Sequence, residues 1–175
     1  MKKLSLEALG RVDVATFKKL PKKPIVVLLD NIRSGHNVGA VFRTSDAFLI
    51  ESIVLTGITP IPPHREINKT AIGATDTVSW TYEKDILLAI TAYKNLGYRI
   101  IGVEQTNKSV PLEMIVAPPD QKIALVFGNE VGGISECVLP HLDQAVEIPQ
   151  YGTKHSLNIS VCAGIVLWHF SRLFE

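Results

Sequence analysis

The chain has 175 residues, of which 46% are hydrophobic and 20% charged. This excludes a disordered protein and provides enough surface to bury a core without disulfides. Two cysteines, Cys137 and Cys162, are too few for a disulfide scaffold, and no apolar run approaches the roughly 20 residues that cross a bilayer. The start, Met1-Lys2-Lys3-Leu4-Ser5-Leu6-Glu7, is charged and lacks the apolar stretch of a secretory signal. One compact domain in a reducing, cytoplasmic setting is expected, with Cys162 a buried free thiol.

The net charge of +1 does not mark a nucleic-acid binder, but its distribution is uneven. Residues 1–23 carry seven lysines and arginines against Glu7 and Asp13, a balance of +5, which leaves −4 on the remainder. A basic leader on a mildly acidic body suits contact with a polyanion, and it equally suits a solvated amphipathic segment.

In chain order, residues 4–20 read as one or two short helices, with Asp13 as N-cap for Val14–Leu20 and Pro21 and Pro24 ending them. Pro24–Leu29 is a continuous, β-branched apolar run, the pattern of a strand buried on both faces. A loop over Asp30–Gly35 leads to a helix over Val38–Phe48 capped by Asn37. Ser52–Leu55 predicts a strand, Thr56–Asp76 a long connection punctuated by Pro60, Pro62, Pro63 and Gly73, and Thr77–Tyr82 another strand. Asp85 caps an amphipathic helix that closes at Gly97. Arg99–Val103, Lys122–Phe127 and Val146–Ile148 are further strands, and a helix from Asn158 to Phe174 ends the chain. Strands alternating with helices predict an α/β fold with a mostly parallel sheet flanked by helices.

Three loops, each following a strand, carry unusual residues, and ligands of open α/β sheets bind outside the carboxyl ends of strands. The first opens a helix with Asn37-Val38-Gly39-Ala40-Val41-Phe42-Arg43. Its slim first turn lets something approach the backbone, and a helix N-terminus favours an anion. The plain alternative is an asparagine cap followed by an exposed arginine. The second, Gly128-Asn129-Glu130-Val131-Gly132-Gly133-Ile134-Ser135, sets three glycines around one carboxylate. It lacks the Gly-Lys-Ser/Thr ending of a triphosphate loop, so it suits a neutral or cationic nucleoside. The alternative is a glycine turn before a short helix capped by Ser135. The third, Ile148–Ser160, crowds Ser156, Asn158 and Ser160 at the start of a helix that is apolar nearly all round. Such a helix needs cover on more than one side, which a symmetric dimer supplies. Ser156 as a simple N-cap is the alternative reading.

Taken together, Asn37-x-Gly39-Ala40-x-x-Arg43, Gly128-Asn129-Glu130-x-x-Gly133-Ile134 and Ile148-Pro149-x-x-Gly152-x-x-x-Ser156-Leu157-Asn158-x-Ser160 resemble, in order and separation, the three motifs of the SpoU (TrmH) family of RNA 2′-O-ribose methyltransferases. The resemblance spans Pro24 to Leu173. Ile101–Thr106 further resembles the branch containing the methyltransferase domain of eukaryotic TAR-RNA-binding-protein-like tRNA enzymes.

Charge and helix pattern mark a basic helical leader over 1–23, and the resemblance implies a methyltransferase domain over 24–175 whose C-terminal segment forms a deep trefoil knot. It implies a homodimer, S-adenosylmethionine as cofactor, no metal, and RNA as substrate, with guanosine of the tRNA D-loop favoured over an rRNA site. Val103, Glu104, Gly128, Asn129, Glu130, Gly133, Ile148, Gln150, Ser156 and Leu157 are expected to enclose the cofactor. Asn37, Arg43, Ser156 and Asn158 are expected to line the reactive centre, and Arg33, Arg65, Lys69 and Lys154 to contact RNA phosphates. Gln150 stands where the family usually has methionine. The short leader leaves RNA capture to the dimer, the leader itself or a partner protein. Two other readings stay open: an inactive protein that binds cofactor and RNA, and a nucleotide-dependent enzyme acting on small molecules.

Overall fold

The computed structural model describes every residue except Leu6, Ala117 and Pro119. Leu6 belongs to the segment expected to be helical, and that part of the expectation lies outside the described residues. The leader contributes one helix, α1 (Val14–Lys19), whose cap Asp13 accepts the Thr16 amide at 2.7 Å.

Seven strands follow: β1 (Lys23–Asp30), β2 (Ile50–Thr56), β3 (Ser79–Glu83), β4 (Tyr98–Val103), β5 (Val110–Pro111), β6 (Lys122–Phe127) and β7 (Gln144–Glu147). They form one sheet in the order β3-β2-β1-β6-β4-β7-β5, and every pairing is parallel. The helices are α2 (Gly35–Ala47), α3 (Arg65–Ala71), α4 (Ala74–Thr77), α5 (Ile86–Asn95) and α6 (Ile159–Arg172).

The uninterrupted apolar run of β1 reflects burial on both faces. Ile25, Val27 and Leu29 join the core beneath α2 and α6, with Val38, Phe42, Val166 and Phe170. Val26 and Leu28 join a second core with Ile86 and Ile90 of α5 and with Ile134 and Val138. The chain builds outward from β1 through β2 to β3, then restarts with β4 on the far side of β6. This reversal of direction is where an open parallel sheet leaves a crevice at its carboxyl edge. There Val103 pairs with Phe127 on one side and Val146 on the other, so the loops after β4, β6 and β7 leave side by side.

Several local expectations are corrected. Helix α2 begins at Gly35, because Ser34 accepts the Asn37 amide at 3.3 Å and takes the cap. Asn37 therefore lies in the first turn with its side chain free for another partner. The slim turn at Gly39 does not admit a ligand. A Cβ there would stand 2.2 Å from Thr70 Oγ1 and 2.3 Å from the Ile67 carbonyl oxygen, so glycine is what lets α2 pack against α3. The long connection over 56–76 contains α3 and α4. Ser135 opens a turn, with the Val138 amide donating to its carbonyl at 2.8 Å, rather than a helix. Helix α6 is capped by Asn158, not Ser156, with the Ser160 amide donating at 2.8 Å to Asn158 Oδ1. One side of α6 is covered by the core, while Val161, Ile165 and Trp168 on the other are 51%, 39% and 55% exposed. No helix among the described residues is long and apolar enough to cross a membrane.

Candidate active site

A cavity of about 510 Å³ opens at the carboxyl edge of β4, β6 and β7. Its apolar walls come from strand ends and the start of α6: Val103, Phe127, Val146, Ile148 and Ile159. All ten residues expected to enclose a cofactor line it: Val103, Glu104, Gly128, Asn129, Glu130, Gly133, Ile148, Gln150, Ser156 and Leu157.

The loop after β6 is built by its own polar groups. Asn129 and Gly133 exchange backbone hydrogen bonds at 3.0 Å in both directions. Asn129 Oδ1 accepts the Val131 and Gly132 amides, and its Nδ2 donates to the Gly133 carbonyl. Gly133 sits at φ +68°, where a side chain is strained, and a Cβ there would meet Glu104 Oε2 at 2.2 Å. Glu104 in turn accepts the Ile134 amide at 3.0 Å and the Gln105 amide at 2.9 Å, tying the β4 loop to the β6 loop. Gln105 Nε2 donates to the His155 carbonyl at 2.9 Å and so ties in the third loop.

At the cavity rim the three motifs meet through side chains. Asn37 Nδ2 donates to Glu130 Oε1 at 2.8 Å, and Glu130 Oε2 accepts the Arg33 amide at 3.3 Å. Asn158 Nδ2 donates to Asn37 Oδ1 at 3.3 Å, while Asn158 Oδ1 accepts the Ser160 amide and hydroxyl. Burial alone would raise the Glu130 carboxyl, but bonds from the Asn37 side chain and from nearby amides outweigh it and hold the group below the ordinary range. Ser156 lines the cavity from the exposed stretch beside Asn158.

Arg43 does not join this group. It lies six residues beyond Asn37 on α2, about 9 Å along the axis and about 240° around it. Its side chain is exposed and borders a second cavity, beside Arg11, Asp46 and Thr77, between the leader and α4. Within one chain Arg43 therefore lies away from Asn37, Ser156 and Asn158, since sequence spacing along a helix does not fix a common face. Arg33, Arg65, Lys69 and Lys154 are all exposed, and none takes part in an ion pair among the described residues.

Sequence reasoning missed four contributors. Asp30, fully buried, accepts the Ser135 amide at 2.7 Å and thereby pins the β6 loop to the end of β1. A carboxylate closing an apolar strand was its signal. Gln105, Glu147 and Cys162 also line the cavity. Burial, with a smaller effect from Glu104, pushes the Cys162 thiol up to about 11.

The SpoU rRNA Methylase family model matches residues 24–168, which contain all three loops. The chain belongs to the SpoU rRNA methylase family. Among its relatives, the 23S rRNA (guanosine-2′-O-)-methyltransferase RlmB of Neisseria meningitidis is 31% identical over 86% of this chain and 59% of its own length. The chain thus spans about three fifths of that relative. The A. aeolicus TrmH/SpoU tRNA modifying enzyme superposes with a TM-score of 0.81 at 25% identity, over 91% of this chain and 80% of that one. An AdoMet-bound rRNA methyltransferase from Sinorhizobium meliloti shares the fold, with a TM-score of 0.79 at 24% identity over 89% of this chain and 59% of that one. S-adenosylmethionine is the cofactor of this family.

Proposed function

We propose that this protein methylates a ribose 2′-hydroxyl of RNA, with S-adenosylmethionine held in the cavity between the β4, β6 and β7 loops. The observation that carries the reading is the hydrogen-bonded run Ser160–Asn158–Asn37–Glu130, which gathers all three motifs at the rim of one cavity. The residues present fit the cofactor. The cavity volume lies within the roughly 300–1,000 Å³ of small-molecule sites, its walls are apolar, and its polar lining contains carboxylates and amides suited to a cationic nucleoside.

The cofactor supplies an electrophilic methyl group on a sulfonium. The chain's own residues position the acceptor. Asn158 and Asn37, held by Ser160 and Glu130, fix the ribose, and Ser156 assists from the same rim. The ribose hydroxyl is a weak nucleophile and must lose its proton as it attacks, so the site needs an acceptor for that proton or positive charge near the developing alkoxide. Arg43 supplies the charge. A guanidinium is a poor base and a good oxyanion and phosphate partner.

Because Arg43 borders a different cavity of its own chain, it serves a site completed by a second copy. The uncovered stripe Val161, Ile165 and Trp168 on α6 is the seam we assign to that homodimer. We also assign the C-terminal segment a trefoil knot, on the strength of the family fold and of the Gln105–His155 bond that holds the third loop against the β4 loop. Arg33, Arg65, Lys69 and Lys154 are the proposed phosphate contacts, together with the basic leader, in a cytoplasmic protein.

Guanosine of the tRNA D-loop is the favoured acceptor, supported by the Ile101–Thr106 resemblance. A guanosine of rRNA is the second reading, favoured by the likeness to RlmB. Mass-spectrometric mapping of 2′-O-methyl sites in RNA from cells with and without the protein tests both. Loss of one tRNA site supports the first, and loss of one rRNA site the second. An unchanged map, with cofactor binding intact, indicates an inactive cofactor-binding protein.

A further inference from the structure

Among the described residues three carboxylates line the cavity, those of Glu104, Glu130 and Glu147, and no lysine or arginine does. Each is held by neutral donors. Glu104 accepts two amides, Glu130 an amide and the Asn37 side chain, and Glu147 Oε2 the Ser109 hydroxyl at 3.0 Å. None of the three takes part in an ion pair among the described residues. Among the described residues His155 is the one member of the lining that can carry positive charge. Amide and hydroxyl donors stabilise a carboxylate locally but do not cancel its net charge, and a concave, partly apolar site focuses the field that remains. The lining therefore carries three formal negative charges with nothing of opposite sign fixed beside them.

Such a lining separates two molecules of nearly the same shape. The methyl donor carries a sulfonium, an ammonium and a carboxylate, net +1. When the S–CH₃ bond breaks and the C–O bond forms, the sulfonium becomes a neutral thioether and the hydroxyl proton leaves, so the remaining cofactor product has net charge zero. Resting on the cofactor reading above, we propose that Glu104 and Glu147 make this cavity charge-selective, favouring the cationic donor and speeding release of the neutral thioether product. Glu130 is set aside because it also belongs to the rim network with Asn37.

Calorimetric titration of the full-length protein with S-adenosylmethionine, S-adenosylhomocysteine and sinefungin tests this. In sinefungin a protonated amine stands where the sulfonium methyl does. The wild type is expected to bind the two cations more tightly than the thioether. Glu147→Gln keeps an acceptor oxygen for its bond from Ser109 while removing the charge, whereas Glu104→Gln removes the charge but keeps an acceptor for only one of its two amide bonds, since these fall on different oxygens. Each is expected to lower the donor-to-product affinity ratio roughly tenfold, mainly by weakening the donor. A merely structural role for either carboxylate weakens all three ligands alike and leaves the ratio unchanged, which overturns the proposal. Glu147→Gln, remote from the β6 loop bonds, provides the reading if Glu104→Gln unfolds. Equal affinity of the wild type for donor and product also overturns it. Failure of the wild type to bind any of the three overturns the cofactor reading itself, and this inference with it.

Discussion

Replacing Gly128 with alanine adds one methyl group where there is no room for it. The new Cβ would lie 2.0 Å from the Gly133 carbonyl carbon, 2.0 Å from the Ile134 amide nitrogen and 2.4 Å from the Gly133 oxygen. All three are backbone atoms of a loop closed on itself by the paired Asn129–Gly133 hydrogen bonds, so no side-chain rotation relieves the clash. Overpacking of this kind costs about 1–3 kcal/mol, and the upper end applies because backbone must move. In a chain of this size that corresponds to a drop in Tm of roughly 6–12 °C. Gly132 provides an internal control. Its added Cβ finds nothing nearer than Asn129 Oδ1 at 3.7 Å, an ordinary contact, so Gly132→Ala is expected to leave Tm nearly unchanged. Differential scanning calorimetry of both variants, with cofactor titration beside it, reads the result. Gly128→Ala is expected to lose both stability and cofactor affinity, since the displaced loop lines the cavity. A Gly128→Ala protein as stable as Gly132→Ala, binding cofactor normally, would refute the account of this loop.

Three further predictions follow from the site. Arg43→Ala is expected to abolish methyl transfer while leaving Tm and cofactor affinity unchanged, because the side chain is exposed and borders another cavity. Mixing it with inactive Asn158→Ala is expected to restore part of the activity through hybrid dimers, and no restoration at any ratio would argue against a shared site. Glu130 has its carboxyl held below the ordinary value of 4.5, so its contribution to loop order is complete above that pH and is lost as pH falls through the lower folded value. Glu130→Gln should therefore flatten the acid limb of a stability–pH profile, and an acid limb identical to wild type would contradict this. The Cys162 thiol, pushed up to about 11 by burial, should react with iodoacetamide at pH 8 far more slowly than the exposed Cys137, and slower still with cofactor bound. Peptide mapping that finds equal labelling of the two would overturn that assignment.

Much of the sheet was legible because burial on both faces writes itself as unbroken apolar runs, and β1 and β6 are where the runs predict them. The start of α2 was misplaced because Ser34 and Asn37 are both good caps three residues apart, and only the structure shows which accepts an amide. Helices α3 and α4 were hidden by their shortness and by the prolines before them. Strand β5, two residues long, carries no periodicity at all. In the site, every residue expected to enclose a cofactor lines one cavity, because each lies at the carboxyl end of a strand or in the loop that follows it, on the same sheet edge. Arg43 was not placeable in this way. Its position depends on which face of α2 turns toward which neighbour. In the sequence Asp30 looks like the first residue of a loop, although it closes β1, fully buried, and its bond to the Ser135 amide fixes the β6 loop in place.

The most direct measurement of the central claim is nucleoside mass spectrometry of a defined reaction. Purified protein, S-adenosylmethionine bearing a deuterated methyl group, and total RNA from cells lacking the protein are incubated, digested and resolved. The account predicts deuterated 2′-O-methylguanosine from one RNA species, and none from the Arg43→Ala protein. Label on a base instead of a ribose, or label undiminished by Arg43→Ala, would contradict it.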